Sequence, residues 1–192
     1  MTFFNRAKEF ESFDFEGYFS RITDNDVRLA IEKDRPGVFN FLTLISPRAE
    51  KYLEEMAQKA RQLTIRHFGR IIQLFAPLYI SDFCTNRCTY CGFNTRNRFE
   101  RKKLSAQEIE TQTRIIKRSG IRHILVLTGE DPVNSPVSYL EEAVGILSNH
   151  FASTGLEVYP VDTPDYRRLI QAGADSLTVY QEVYDRGIYQ KV

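Results

Sequence analysis

Ile71-Ile-Gln-Leu-Phe-Ala-Pro-Leu-Tyr-Ile-Ser81 runs, through Asp82 and Phe83, into Cys84-Thr-Asn-Arg-Cys88-Thr-Tyr90-Cys91. The first part is a nearly continuous apolar run rich in β-formers, the pattern of a strand buried on both faces. The second holds all three cysteines of the chain, spaced C-x3-C-x2-C. A packed core gains nothing from placing its only thiols together. A site that sets three thiolates around one small inorganic object requires it.

Working outward from this stretch, strand and helix patterns alternate to the last residue. Ser105-Ala-Gln-Glu108 reads as a capping box whose helix runs to Ser119, with Gly120 as its stop. His123–Thr128 is the next buried strand. Ser135-Pro136 has the capping residue and first-turn proline of another helix, reaching about Phe151. Glu157–Val161 reads as a third strand, Thr163-Pro164 opens a helix stopped by Gly173, and Ser176–Gln181 is a fourth strand. Alternation of this kind argues for a parallel sheet with right-handed crossovers. Each strand runs into polar or metal-binding residues: Cys84, then Gly129-Glu130, then Asp162, then Glu182. Such side chains at the C-terminal ends of successive parallel strands are the signature of a (β/α) barrel, yet a full barrel takes eight units and about 250 residues.

Upstream, residues 1–70 read as a helical extension to the barrel segment at 71–192. Thr23 introduces a short helix over Asp24–Lys33 that Pro36-Gly37 ends. Ser46-Pro47 opens a long one with an apolar stripe through Leu53, Met56, Ala60 and Leu63, stopped at Gly69.

Composition narrows the function class. A net charge of +1 argues neither for nor against a polyanionic partner, and the basic run Arg96, Arg98, Arg101, Lys102, Lys103 is interrupted by Glu100, so it reads as a solvated loop rather than a nucleic-acid site. The longest apolar run is broken by Pro77 and too short to cross a bilayer. Met1-Thr-Phe-Phe-Asn-Arg6 lacks the form of an export signal. Three closely spaced cysteines make no disulfide framework. The expectation is a soluble, cytoplasmic protein without membrane or nucleic-acid partners.

Three thiolates in one loop suit zinc or an iron–sulfur cluster. A structural zinc site closes with a fourth ligand, whereas His67, His123 and His150 all lie far from the cysteines in sequence. The missing ligand favours the cluster, because three cysteines on a cubane leave one iron open to a small ligand.

The spacing, the aromatic Tyr90 before the last cysteine and the preceding strand resemble the radical S-adenosylmethionine (SAM) superfamily. That resemblance implies a TIM-like (β/α) barrel and a [4Fe–4S] cluster held by Cys84, Cys88 and Cys91. It also implies that the open iron chelates SAM, whose one-electron cleavage yields a deoxyadenosyl radical. Thr128-Gly129-Glu130 resembles the superfamily's glycine-rich stretch for the methionine amino group, although a Gly-Glu pair after a strand is also an ordinary helix-entry turn.

A narrower resemblance spans almost the whole chain. Pro77-Leu-Tyr-Ile-Ser-Asp-Phe-Cys84, Cys88-Thr-Tyr-Cys-Gly-Phe93, Asn97-Arg-Phe-Glu-Arg-Lys-Lys-Leu104, Leu127-Thr-Gly-Glu130, Glu157-Val-Tyr-Pro160 and Val179-Tyr-Gln-Glu-Val-Tyr184 are similar to the 2-iminoacetate synthase family. These are the tyrosine lyases of thiamine biosynthesis, related to those of [FeFe]-hydrogenase maturation. The resemblance implies a carbon–carbon lyase that cleaves tyrosine to dehydroglycine and p-cresol, with thiazole synthase as the recipient and a flavodoxin- or ferredoxin-type reductant. It places Tyr90 beside the adenine, Gly129 and Glu130 at the methionine amino group, and Gln181 and Glu182 near the ribose. Glu157 is expected to point into the barrel together with Tyr159, as a cofactor-binding carboxylate or one member of a structural ion pair. Because only four strands fit before Val192, the resemblance implies the N-terminal half of such an enzyme, expected to lack full lyase activity alone. The other readings are a hydrogenase-maturation lyase, a non-catalytic iron–sulfur fragment or partner subunit, and a zinc-stabilised interaction module.

Overall fold

A computed structural model of the chain describes residues 3–192. Met1 and Thr2, the start of the stretch read above for an export signal, lie outside the described residues. The chain divides into two compact units between Ile72 and Gln73.

The first unit is helical, with α1 (Phe3–Lys8), α2 (Phe15–Ser20), α3 (Asp24–Glu32), α4 (Val38–Leu44), a 3-10 helix (Pro47–Tyr52) and α5 (Leu53–Phe68). Thr23 caps α3 in a reciprocal box with Asp26, satisfying two backbone donors that a helix start leaves orphaned. The core gathers Ile22, Val27, Ala49 and Tyr52. The long helix expected from Ser46-Pro47 starts later, at Leu53. The Ser46 hydroxyl donates to the Thr43 carbonyl at 2.7 Å instead of capping forward, and the chain first winds as the tighter 3-10 form. The expected apolar stripe of α5 is correspondingly weak. None of its residues is buried, Leu53 is 61% exposed, and Met56 packs on the core.

The second unit is a four-stranded parallel sheet in the order β1-β2-β3-β4, with β1 at Phe75–Ser81, β2 at His123–Thr128, β3 at Ser153–Glu157 and β4 at Ser176–Leu177. Helices α6 (Ala106–Arg118), α7 (Val137–Ser148) and α8 (Thr163–Ala172) make the crossovers, and α9 (Arg186–Tyr189) follows β4. The α/β class and the barrel-fragment topology expected from the alternation are what the chain adopts. Ser105 and Glu108 form their capping box on α6, and Gly120 and Gly173 take the left-handed backbone that ends α6 and α8.

Strand limits differ from the sequence reading. β1 begins at Phe75, not Ile71, and alternates between exposed and buried residues rather than being buried throughout. Leu78 and Ile80 join Ile124, Val126, Leu156 and Val158 in a core with Leu140, Val144, Leu147 and Leu169 from the helices, whereas Phe75 and Tyr79 on the other face are more than half exposed. Helices cover one face of this strand, so only alternate residues are buried. Pro77 is tolerated because β1 is an edge strand, where a missing N–H costs no ladder bond. β3 sits four residues earlier than expected, since the ladder pairs Ser153–Glu157 with His123–Leu127. β4 is confined to Ser176–Leu177, which pair with Gly155 and Leu156 of β3. The helix expected from Ser135-Pro136 starts at Val137 without a side-chain cap; the Ser135 hydroxyl is buried without a partner, and Asp131 organises the turn by accepting from the Val133 and Asn134 amides.

Candidate functional site

The site lies where β1 and β2 release the chain. Their parallel ladder shifts register between Tyr79 and Ser81, and the Gly129 amide continues it by donating to the Ser81 carbonyl at 3.0 Å. This brings the loop after β2 against the loop after β1. A Cβ on Gly129 would stand 2.3 Å from the Phe83 carbonyl oxygen and 2.8 Å from Cys84 Cβ. Only glycine fits there, and its role is close approach to the first cysteine. Two further bonds join the loops through Thr85, whose amide and hydroxyl both donate to the Glu130 carbonyl, at 2.9 and 3.0 Å. A third comes from Asn86, whose amide donates to the Glu130 carboxylate at 2.7 Å. Gly129 and Glu130 are therefore fixed to the segment that carries Cys84 and Cys88.

Cys84, Cys88 and Cys91 are free thiols, each half-buried. A turn sets the last two, the Cys91 amide donating to the Cys88 carbonyl at 3.2 Å. Asn94, 8% exposed, donates to the Cys88 carbonyl at 2.7 Å, and Asn97 donates to the Gly92 carbonyl at 3.0 Å. Among the described residues, no three His, Cys, Asp or Glu side chains are gathered tightly enough to hold one metal ion. A single zinc needs its donors at one point, whereas a cubane cluster takes each thiolate on a different iron. Soft thiolate donors in a loop without a fourth protein ligand fit the cluster better than the ion.

Beside the loop opens a cavity of about 740 Å³ whose lining includes Tyr79, Asp82, Cys91, Phe93, Thr128 and Glu157. Tyr79 and Phe93 meet edge to face with ring centroids 5.6 Å apart. Among the described residues the Thr128 hydroxyl is shielded from solvent and has no hydrogen-bond partner. Glu157, at the end of β3, presents its half-buried carboxylate here. Tyr159 does not accompany it. It is buried in the helix-side core, where its hydroxyl donates to the Ser135 carbonyl at 2.6 Å, and burial raises its pKa. The strand has ended by then, so the two-residue alternation no longer carries Tyr159 to the face of Glu157.

Tyr90 is 58% exposed on the cysteine loop. Partial burial, and then the adjacent Cys88, raise its hydroxyl above the ordinary tyrosine value, with Glu182 adding to the effect. Gln181 and Glu182 do not end the fourth strand. They are exposed in the segment beyond Leu177, and the Gln181 amide donates to the nearby Val183 carbonyl at 3.3 Å. Asp162 is the exposed residue at the start of α8.

Two residues passed over in the sequence reading help build the site. Asn94 holds the Cys88 carbonyl, and half-buried Arg101 bonds to three backbone carbonyls around the cysteine loop rather than standing solvated in a basic run. The sequence signal was an arginine ten residues past a cysteine cluster, which by itself carries no information on acceptors.

The radical SAM superfamily profile matches residues 78–192. The chain is 34% identical to the 2-iminoacetate synthase of Escherichia coli (strain K12) over 190 residues, which is 99% of this chain and 50% of that protein. It is 30% identical to the 3-methylornithine synthase of Methanosarcina barkeri (strain Fusaro) over 184 residues, 92% of this chain and 47% of that one. A crystal structure of HydG, a maturase of the [FeFe]-hydrogenase, superposes with a TM-score of 0.86 at 28% identity, covering 93% of this chain and 41% of HydG. The chain spans about half the length of the curated relatives it matches.

Proposed function

The chain belongs to the radical SAM superfamily, and on that premise we propose that Cys84, Cys88 and Cys91 hold its [4Fe–4S] cluster in a tyrosine lyase of the 2-iminoacetate synthase type. The observation that carries the proposal is the contact of Gly129 with Cys84, which joins the cysteine loop to the loop suited to the amino group of SAM. When bound, the cluster and SAM supply an organic radical able to take a hydrogen atom from an unactivated substrate.

This chain's residues do the binding and orienting. Three thiolates leave one position of a cubane without a protein ligand. Glu130, its carboxylate directed by Asn86, complements an ammonium, and Gly129 lets the backbone approach it. The Glu157 carboxylate offers hydrogen-bond acceptors within the cavity, and Tyr79 and Phe93 supply an aromatic wall that suits the ring of tyrosine. Tyr90 packs beside the adenine, and Gln181 and Glu182 serve the ribose. Thiazole synthase as recipient and a flavodoxin- or ferredoxin-type reductant belong to the same proposal, as does a cytoplasmic location. Among the described residues, no helix is long and apolar enough to cross a membrane. Residues 1–70 and 71–192 are proposed as a helical extension and a barrel segment.

Anaerobic reconstitution tests the cofactor, with about four iron and four sulfide per chain expected and methionine released from SAM under strong reductant. Stoichiometric zinc after aerobic purification, without cluster uptake, would sink it. Tyrosine-dependent formation of p-cresol tests the substrate; SAM cleavage stimulated by another amino acid and not by tyrosine would reassign it. The likeness to HydG favours a maturase setting as the second reading.

A further inference from the structure

Arg101 is the unusual member of the basic run. Arg96, Arg98, Lys102 and Lys103 are exposed, whereas Arg101 is half-buried with its guanidinium turned into the protein. One terminal nitrogen donates to the Asp82 carbonyl at 2.6 Å and to the Phe93 carbonyl at 2.7 Å. The other donates to the Asn94 carbonyl at 2.7 Å. Asp82 lies just before Cys84, while Phe93 and Asn94 lie just after Cys91, so one side chain closes the stem of a loop whose span contains every cysteine. The guanidinium carbon stands 4.0 Å from the centroid of the Phe99 ring, which fixes its plane. The residue next to Arg101 is tied to the same strand end, the Asp82 amide donating to the Lys102 carbonyl at 3.0 Å and the Lys102 amide to the Asp82 carboxylate at 2.7 Å.

We propose that Arg101 is a positioning residue for the three-cysteine loop, clasping its two ends by backbone carbonyls and setting a fixed positive charge beside the thiolates. Two observations point this way together. The forked, planar donor set of arginine is what lets one side chain reach three carbonyls on two segments; a lysine ammonium is a single point on a flexible stem. Among the described residues the guanidinium pairs with no carboxylate. A partly desolvated cation without an anion is costly, and three thiolates brought into the same loop supply the missing negative charge. The inference rests on the cluster reading above and adds to it which side chain holds the loop in shape and how the loop's charge is balanced.

The variants are Arg101→Lys, Arg101→Gln and, as a control with the same charge change at an exposed position of the run, Arg98→Gln. In the apo-protein, the rate at which iodoacetamide labels Cys84, Cys88 and Cys91 reads the shape of the loop. Both Arg101 variants are expected to label several-fold faster than wild type and Arg98→Gln at the wild-type rate. In the anaerobically reconstituted protein, iron loss to a chelator is expected to run about tenfold or more faster in both Arg101 variants, the usual scale for removing an outer-sphere partner. The cluster's midpoint potential should move to more negative values in Arg101→Gln and stay near wild type in Arg101→Lys, since net charge sets that potential. Wild-type labelling and chelation rates in both Arg101 variants would overturn the clasp. Full rescue of both rates by lysine would reduce the residue to its charge and also overturn it. Should wild type itself take up no cluster, the cluster reading falls and the labelling rates alone decide the clasp. Circular dichroism identifies any variant that fails to fold; if Arg101→Gln does, Arg101→Lys decides.

Discussion

The loop after β1 and the segment after β4 leave the same C-terminal end of one parallel sheet, from its two opposite edge strands, and both were expected to carry cofactor residues. They are held in opposite ways. The first is bonded to the neighbouring β2 loop through Thr85 and Asn86, to itself through Asn94 and Asn97, and to its own stem through Arg101. In the second, Gln181 reaches two residues along to Val183, and Gln181 and Glu182 are both exposed. A functional loop keeps its geometry when side chains satisfy its backbone groups, because an irregular segment has no ladder to do so.

The comparison breaks most readily at Gly129. Gly129→Ala places a methyl carbon 2.3 Å from a backbone oxygen, and that oxygen moves only if the cysteine loop moves with it. Overpacking of this kind costs about 1–3 kcal/mol. Here it also parts the two loops, so the expected outcome is a folded protein with a lowered melting temperature and little bound iron after reconstitution. Wild-type iron content in this variant would mean that the two loops need not touch.

A smaller effect is expected at Asn86. Removing its bond to Glu130 frees an exposed carboxylate to turn into solvent. A hydrogen bond of ordinary net worth, about 0.5–1.5 kcal/mol, translates into roughly two- to tenfold weaker SAM binding in Asn86→Ala. Equilibrium dialysis against the reconstituted protein reads it, and iron content should not change. A loss of iron together with SAM would place Asn86 in the support of the loop rather than in the orientation of Glu130.

The exit of the same loop offers a pH test. Glu108 on α6 is held down to about 2, below its ordinary 4.5, first by the Lys102 ammonium and then by the amide and hydroxyl of Ser105. A carboxyl depressed by folding contributes stability that is complete above the ordinary value and is lost as pH falls through the depressed one. Melting temperatures of apo wild type and Glu108→Gln should therefore differ by a constant amount above pH 4.5 and converge as the pH approaches 2. A gap that persists at the acid end would assign it to packing rather than to charge.

What the sequence made legible divides along the same line. The Ser105–Glu108 box and the stops at Gly120 and Gly173 were readable because each is settled within a few residues of backbone. The clustering of the three cysteines was legible because three thiols in eight residues is a rare pattern, whereas Gly129-Glu130 stood out only through the resemblance, a Gly-Glu pair after a strand being also an ordinary helix entry. Strand limits were not legible, because Ile71–Leu74 and Glu157–Val161 are mostly apolar, and pairing with distant residues decides which of them enter the ladder. Tyr159 was placed by extending an alternation past the point where the strand had ended. Arg101 was hidden for another reason: its partners are backbone carbonyls, which every residue possesses, so no side chain in the sequence announces them.

The smallest effects belong to the segment after β4, and there stability and ligand binding separate. Gln181→Ala and Glu182→Gln alter exposed side chains, so each should leave the folding free energy within about 0.5 kcal/mol of wild type. Both should also leave iron content unchanged, since among the described residues neither side chain is hydrogen-bonded to the cysteine loop. If Gln181 and Glu182 serve the ribose, the whole effect of each substitution falls on SAM binding, measured on the reconstituted protein. Glu182 carries one further signature. Its charge contributes, behind burial and Cys88, to the raised pKa of Tyr90, so Glu182→Gln should let the Tyr90 hydroxyl ionise at slightly lower pH in the apo-protein. An unchanged Tyr90 titration would separate the two residues. The Thr89 amide already donates to the Val192 carbonyl at 2.8 Å. Iron loss in either variant would show that the Gln181–Glu182 part of the segment supports the cysteine loop as well, so that the contrast between the two would fail.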